Sequence, residues 1–161
     1  MFAKQGFHED ELLTYNLANS SKQLNVDGGW NSPEDFNEYL AVSPDDRFDY
    51  AQVYENQIID ASHPPLYYAL VHTVCSFFPS VFSKWLAYSI NVLAMAGILI
   101  MLYKIGRKIT GNNLYALIGV GAYALSIACI TTTIYLRMYA TLTFWAVSYT
   151  HLRAHETKAN L

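Results

Sequence analysis

KWLAYSINVLAMAGILIMLYK, residues Lys84 to Lys104, decides what kind of molecule this is: nineteen uncharged residues in a row, closed at each end by a lysine. A helix over them rises about 1.5 Å per residue and so covers roughly 29 Å, close to the thickness of a bilayer's hydrocarbon core. Downstream, Asn112 to Leu136 holds twenty-five uncharged residues and ends at Arg137, and Met138 to Ala146 begins a third apolar segment. The expectation is an all-α, polytopic integral membrane protein with spans at 84–104 and 112–136 and the start of a further one at 138–146. Ser89 and Asn91 in the first span, and Gly119 and Gly121 in the second, predict faces packed on other helices rather than on lipid.

Composition agrees with that reading. Hydrophobic residues are 53% and charged residues 14% of the 161 positions, against roughly 25% charged in an ordinary soluble domain. Charge is also segregated: residues 1–60 hold twelve of the thirteen acids against three basic residues (Lys4, Lys22, Arg47), and no Asp or Glu occurs from Ala61 to His155. An acidic aqueous part is therefore joined to an apolar part flanked by cations, which makes nucleic acid an unsuitable partner. Cys75 and Cys129 both lie in apolar runs, so they read as small buried residues rather than a disulfide framework or a metal knuckle.

The short stretch Lys104-Ile105-Gly106-Arg107-Lys108 carries three positive charges and no acid. Read as the loop after the first span, it is cytoplasmic by the positive-inside rule, which puts residues 1–80 and Arg137 on the extracytoplasmic side. The first thirty residues have no apolar core of the length a secretory signal needs, so a transmembrane helix preceding Met1 is the simplest means of export. Residues 1–62 then form a first external loop. Within it Glu9 to Ser21 predicts a short amphipathic helix with Leu12, Leu13 and Leu17 on one face, and Ser32-Pro33 and Ser43-Pro44 each open another small helix. Phe48, Ala51, Tyr54 and Ile58 give the second of these an apolar stripe suited to a neighbour or to the membrane surface. His63-Pro64-Pro65 opens a helix that Pro79 closes, so 63–79 is too short to span and reads as interfacial. Tyr67, Tyr68, Trp30, Trp85 and Tyr88 read as interfacial aromatics, and His72 as a packed residue.

Three motifs stand in order along the expected external side: Phe7-His8-Glu9-Asp10-Glu11, His63-Pro64-Pro65-Leu66-Tyr67-Tyr68, and Tyr135-Leu136-Arg137-Met138-Tyr139. From Gly6 to about Ala146 this set resembles the front third of bacterial family 39 glycosyltransferases, of GT-C fold, related to protein mannosyltransferases and lipid A aminoarabinose transferases. The resemblance implies an enzyme of the bacterial plasma membrane that moves a sugar, with inversion, from a polyprenyl-phosphate donor to an extracytoplasmic acceptor. It also implies that this truncated portion alone is inactive. In those terms Asp10, paired with Glu11, is the base. Arg137 meets the donor phosphate, and His63 positions the donor. Tyr139, which completes its motif, and Asp60, three residues before His63, join the expected substrate site.

The chemistry such a reaction needs can be stated without the family: a base for the acceptor's proton, a cation for the departing phosphate, and exclusion of water. Plainer roles stand beside each assignment. Asp10 and Glu11 suit the start of any helix, Arg137 suits interfacial anchoring by snorkelling, and His63 suits a helix cap. The residues point to no definite cofactor; a divalent metal ion on His8, Asp10, Glu11 and His63 is the one candidate, though His-x-Asp-Glu lacks strict ligand spacing. The rival class is a non-catalytic transporter or assembly-subunit fragment whose acidic external segment binds a partner. A transporter is expected to show broken helices or intramembrane acids, neither of which is visible in the sequence. Finally, Val147 to Thr157, VSYTHLRAHET, reads as an in-frame translation of a transposase-type sequencing adapter, so 147–161 is set aside from fold expectations.

Overall fold

The computed structural model describes Lys4 and residues 6–22 and 33–159, with the side chains of 33–34 and 151–159 excepted. Trp30, the turn before it and the Ser32 cap lie outside the described residues. Every regular element described is helical: α1 (Glu9–Asn19), α2 (Pro33–Leu40), a 3-10 turn at Pro44–Asp46, α3 (Tyr50–Asp60), α4 (Pro65–Ser76), α5 (Lys84–Thr110), α6 (Asn113–Ala124), α7 (Ile127–Ile134) and α8 (Tyr139–Ala159). The chain divides into two compact units, Met1–Ala87 and Tyr88–Leu161.

In the first unit, α1 packs against α2, α3 and α4, and α3 against α4. The expected apolar face of α1 is not the one it buries: Leu12, Leu13 and Leu17 are only half-buried, whereas Glu11, Thr14, Tyr15, Asn16, Ala18 and Asn19 are buried. The reason is hydrogen bonding. Every helix leaves its last carbonyls without intrahelical partners, and here side-chain donors of neighbouring elements meet them. Asn16 Nδ2 donates to the Tyr39 carbonyl at 3.0 Å and Asn19 Nδ2 to that of Leu40 at 2.8 Å, at the end of α2. Asn56 Nδ2 serves Leu17 and Ser20 at the end of α1, at 3.0 and 2.8 Å, and Arg47 Nε serves Ser76 at the end of α4, at 2.8 Å.

The second Ser-Pro signal makes only the 3-10 turn, where Ser43 Oγ accepts from the Asp45 nitrogen. Asp49 is the cap of α3, accepting from the nitrogens of Ala51 and Gln52 at 3.1 Å each. Tyr67 and Tyr68, expected at an interface, are instead 2% and 1% exposed in the core, because α4 turns that side toward α1 and α3. His72 and Cys75 are buried there too.

In the second unit, Met95, Ile98 and Cys129 form a buried cluster with Leu102, Tyr123 and Phe144 against it. Gly97 is the close approach: a Cβ there would lie 2.5 Å from the Phe144 ring. Gly119 and Gly121, expected at helix contacts, have nothing within 4 Å of such an atom among the described residues. Asn91 is buried as expected, and its Nδ2 reaches the carbonyls of Thr133 and Tyr135, at 3.3 and 2.8 Å, where α7 ends.

Two span boundaries differ from expectation. The Lys104–Lys108 stretch is not a loop: α5 runs through it, because Gly106 is tolerated inside a helix and the stop comes at Gly111, whose φ of 66° is the left-handed cap glycine favours. Arg107 and Lys108 therefore lie in the last turn, where the helix dipole favours cations. The stretch 112–136 is not one rod: α6 and α7 bend by 56° across Leu125-Ser126, where the Ser126 hydroxyl caps α7 by accepting from the Cys129 nitrogen. By length and composition α5 is one helix able to cross a membrane, and the bent α6–α7 pair is a second if taken as one span. α8 continues from Tyr139 through the adapter-like residues to Ala159.

Candidate functional site

The acid pair at the start of α1 is divided by its surroundings. The Glu11 side chain is fully buried: one carboxylate oxygen pairs with Lys4 Nζ and the other accepts the His8 backbone nitrogen at 2.8 Å. The His8 ring in turn accepts the Asp10 nitrogen at 3.2 Å, which completes a reciprocal cap on the helix. Glu11 is thus committed to holding the N-terminal turn in place. Asp10 is 45% exposed at its side chain, 3.6 Å from His8 Nδ1, at the helix end that favours a carboxylate. Glu9 is exposed, as a solvated residue should be.

Asp60 and His63 come together where α3 hands over to α4. Asp60 Oδ2 lies 2.6 Å from His63 Nδ1, with the two side chains 14% and 16% exposed, and the same oxygen accepts the Ser62 nitrogen at 3.2 Å. Ala61 makes the corner at φ 52°, a left-handed conformation that costs a residue bearing a Cβ about 1 kcal/mol. The His63 ring also sits 6.0 Å from that of Tyr68. Pro64 is the cap residue of α4, and His63, just before it, pairs with Asp60. Beside Asp60 opens a cleft of about 350 Å³ between Leu13, Asn16 and Leu17 of α1 and Asn56 and Ile59 of α3. A further cleft of about 410 Å³ near Asn37, Glu38 and Pro44 touches none of the candidates.

Arg137 and Tyr139 belong to the second unit. Arg137 is 5% exposed, between the fully buried Leu136 and Ala140, and its nitrogen donates to the Tyr135 carbonyl at 2.8 Å. A guanidinium so enclosed by protein does not fit snorkelling to an interface. The rings of Tyr135 and Tyr139 stack at 6.0 Å and 7° on either side of it in sequence, with Tyr139 46% exposed.

Among the described residues, no three His, Cys, Asp or Glu side chains are placed to hold a metal ion. His8, Asp10, Glu11 and His63 do not fit a divalent cation as a set, since Glu11 already serves Lys4 and the His8 nitrogen, and His63 serves Asp60. Lys4 and the carbonyl-capping asparagines escape a reading of motifs. Burial pushes the Tyr15 hydroxyl well above its ordinary range and the Cys75 thiol up to about 11, and it lowers His72. Comparison with protein-family models, with curated proteins and with solved structures finds no match for this chain.

Proposed function

We propose that this chain is the front part of a polytopic membrane glycosyltransferase of GT-C type, passing a sugar from a polyprenyl-phosphate donor to an extracytoplasmic acceptor. The observation that carries the proposal is the split of the acid pair: Glu11 is buried as a structural anchor while Asp10, one residue earlier, is left at the surface of a rigid helix start. In this reading Asp10 takes the proton of the acceptor hydroxyl as its oxygen attacks the anomeric carbon. The bond from that carbon to the phosphate oxygen breaks, and configuration inverts. Arg137 balances the charge left on the polyprenyl phosphate, for which a guanidinium offers paired donors. Tyr139 presents a ring face to the sugar, and the Asp60–His63 pair holds the α3–α4 corner. The reading requires Asp10 and Arg137 to face one aqueous compartment.

In the full-length protein, Asp10→Asn is expected to abolish transfer while leaving membrane insertion and melting temperature unchanged, and Arg137→Ala to raise the KM for donor. Undiminished transfer by the Asp10→Asn variant would remove the catalytic assignment. A second reading draws on the bend between α6 and α7, since broken helices also build transporter sites. It predicts uptake of a solute by reconstituted protein, with no transfer of labelled sugar.

A further inference from the structure

The outer side of the α3–α4 hairpin is apolar along its whole length. Tyr50, Tyr54 and Ile58 recur at helical spacing on α3 and are 46%, 60% and 59% exposed; Leu66, Leu70 and Phe77 do so on and just past α4, at 51%, 37% and 63%. The two stripes adjoin, because the Tyr50 hydroxyl meets Thr73 Oγ1 at 3.0 Å and the Phe48 ring meets that of Phe77 at 5.4 Å. A continuous face of this kind is more than water leaves uncovered on a soluble unit.

We infer that this face lies on the lipid bilayer, with the hairpin flat in the headgroup region and Phe77, Phe78 and Val81 at its deep end. The inference rests on the proposal that α5 crosses the membrane. Only seven residues separate α4 from α5, which limits the distance between them to about 25 Å. The connector is in fact drawn in: the Ser80 nitrogen bonds the Val42 carbonyl at 2.8 Å and the Ser83 carbonyl accepts the Tyr15 hydroxyl at 2.7 Å. The end of α4 is therefore held near the point where α5 enters lipid.

One cation stands at that end, among the carboxylates of Asp45, Asp46 and Asp49. Arg47, the one basic residue between Lys22 and Lys84, lies 5.6 Å from the Phe48 ring while its Nε holds the Ser76 carbonyl. A fixed cation at the rim of an apolar face is how interfacial helices engage anionic lipid. The carboxylates of Asp45 and Asp49 in the same turn keep that turn from sinking further.

The test uses the full chain in phosphatidylethanolamine/phosphatidylglycerol vesicles carrying headgroup- or chain-labelled nitroxide lipids. One fluorophore is attached at Tyr54→Cys, Leu70→Cys, Leu93→Cys on α5, or Gly6→Cys as the aqueous reference; Cys75 and Cys129 are buried and stay unlabelled in the folded protein. Loss of fluorescence at positions 54 and 70, strongest with headgroup nitroxide, together with loss at 93 from chain nitroxide, is the expected result. Loss at 93 alone, with 54 and 70 behaving like position 6 or shielded from both lipid and water by protein, overturns the inference and leaves the spanning role of α5 intact. No loss at 93 overturns that spanning role and the inference with it.

Discussion

The two units bury different things. The first, Met1–Ala87, encloses Glu11, Asn16, Asn19, Gln57 and His72, and it stitches three helix ends together with amide and guanidinium donors. The second, Tyr88–Leu161, encloses little that is polar besides Asn91, Arg137 and Thr141, and it turns Leu93, Ile109, Leu125 and Ile127 outward at 73–81% exposure. The first unit spends its interior on hydrogen bonds, yet its α3–α4 side also carries the exposed Tyr54, Ile58 and Phe77. The other displays leucine and isoleucine along its helices. Each unit also holds one buried free cysteine, Cys75 and Cys129 respectively. With one cysteine replaced by alanine, labelling of the other by a thiol-reactive dye on heating in detergent reports the melting of its own unit.

Glu11→Ala is the variant expected to separate the units most. It removes the partner of Lys4 and the acceptor for the His8 nitrogen, at about 2–4 kcal/mol, and the Cys75 readout should fall sharply while the Cys129 readout holds. Next come Asn19→Ala and Asn91→Ala, each stripping a donor from helix-end carbonyls at about 1–3 kcal/mol. The first should register at Cys75 and the second at Cys129. Equal shifts at both cysteines for either variant would mean that the units melt as one and that the division has no thermodynamic content.

Gly97→Ala is expected to cost about 1–2 kcal/mol at Cys129, since its methyl would crowd the Phe144 ring, and Phe144→Leu in the same chain should recover part of the loss. The smallest effect concerns acid. His72 is held neutral by burial, with its folded pKa below the ordinary 6.5, so the unfolded chain binds more protons between those two values. Its contribution is therefore whole above about pH 6.5 and is lost as pH falls toward the folded pKa, at no more than about 1.4 kcal/mol per pH unit. The groups that oppose this are the Ala18 backbone and then the carboxylates of Asp49 and Asp46, which favour the charged ring. Melting followed at Cys75 should show that slope and His72→Leu should flatten it; an identical slope in the variant would assign it to other groups.

Helix type and rough position were legible because period and punctuation suffice for them. Glu9, Pro33, Pro65 and Lys84 all begin helices close to where caps and prolines put them. The extent of α5 was not, since three cations look like a loop by composition yet suit a last helical turn, and only Gly111 carries the stop. The break at Ser126 was hidden because a serine in an apolar run serves equally as a helix residue or as a cap. The buried side of α1 was hidden for a deeper reason: its choice depends on carbonyls that α2 leaves bare some twenty residues away, a debt no local pattern displays. Of the site, Asp60 and His63 could each be read as candidates, but their pairing could not, nor could the parting of Asp10 from Glu11, which turns on Lys4, a residue in no motif.

Tyr15 joins two elements that are otherwise far apart in sequence. Its hydroxyl donates to the Ser83 carbonyl and accepts the Ala87 nitrogen at 3.0 Å, on either side of the first turn of α5. Its ring meets Phe82 edge-on at 4.9 Å. That phenol works as a hinge pin between the root of the long helix and the short one bearing Asp10. The position of α1 is thus tied to the first turn of α5 by one side chain, which serves a backbone acceptor and a backbone donor at once.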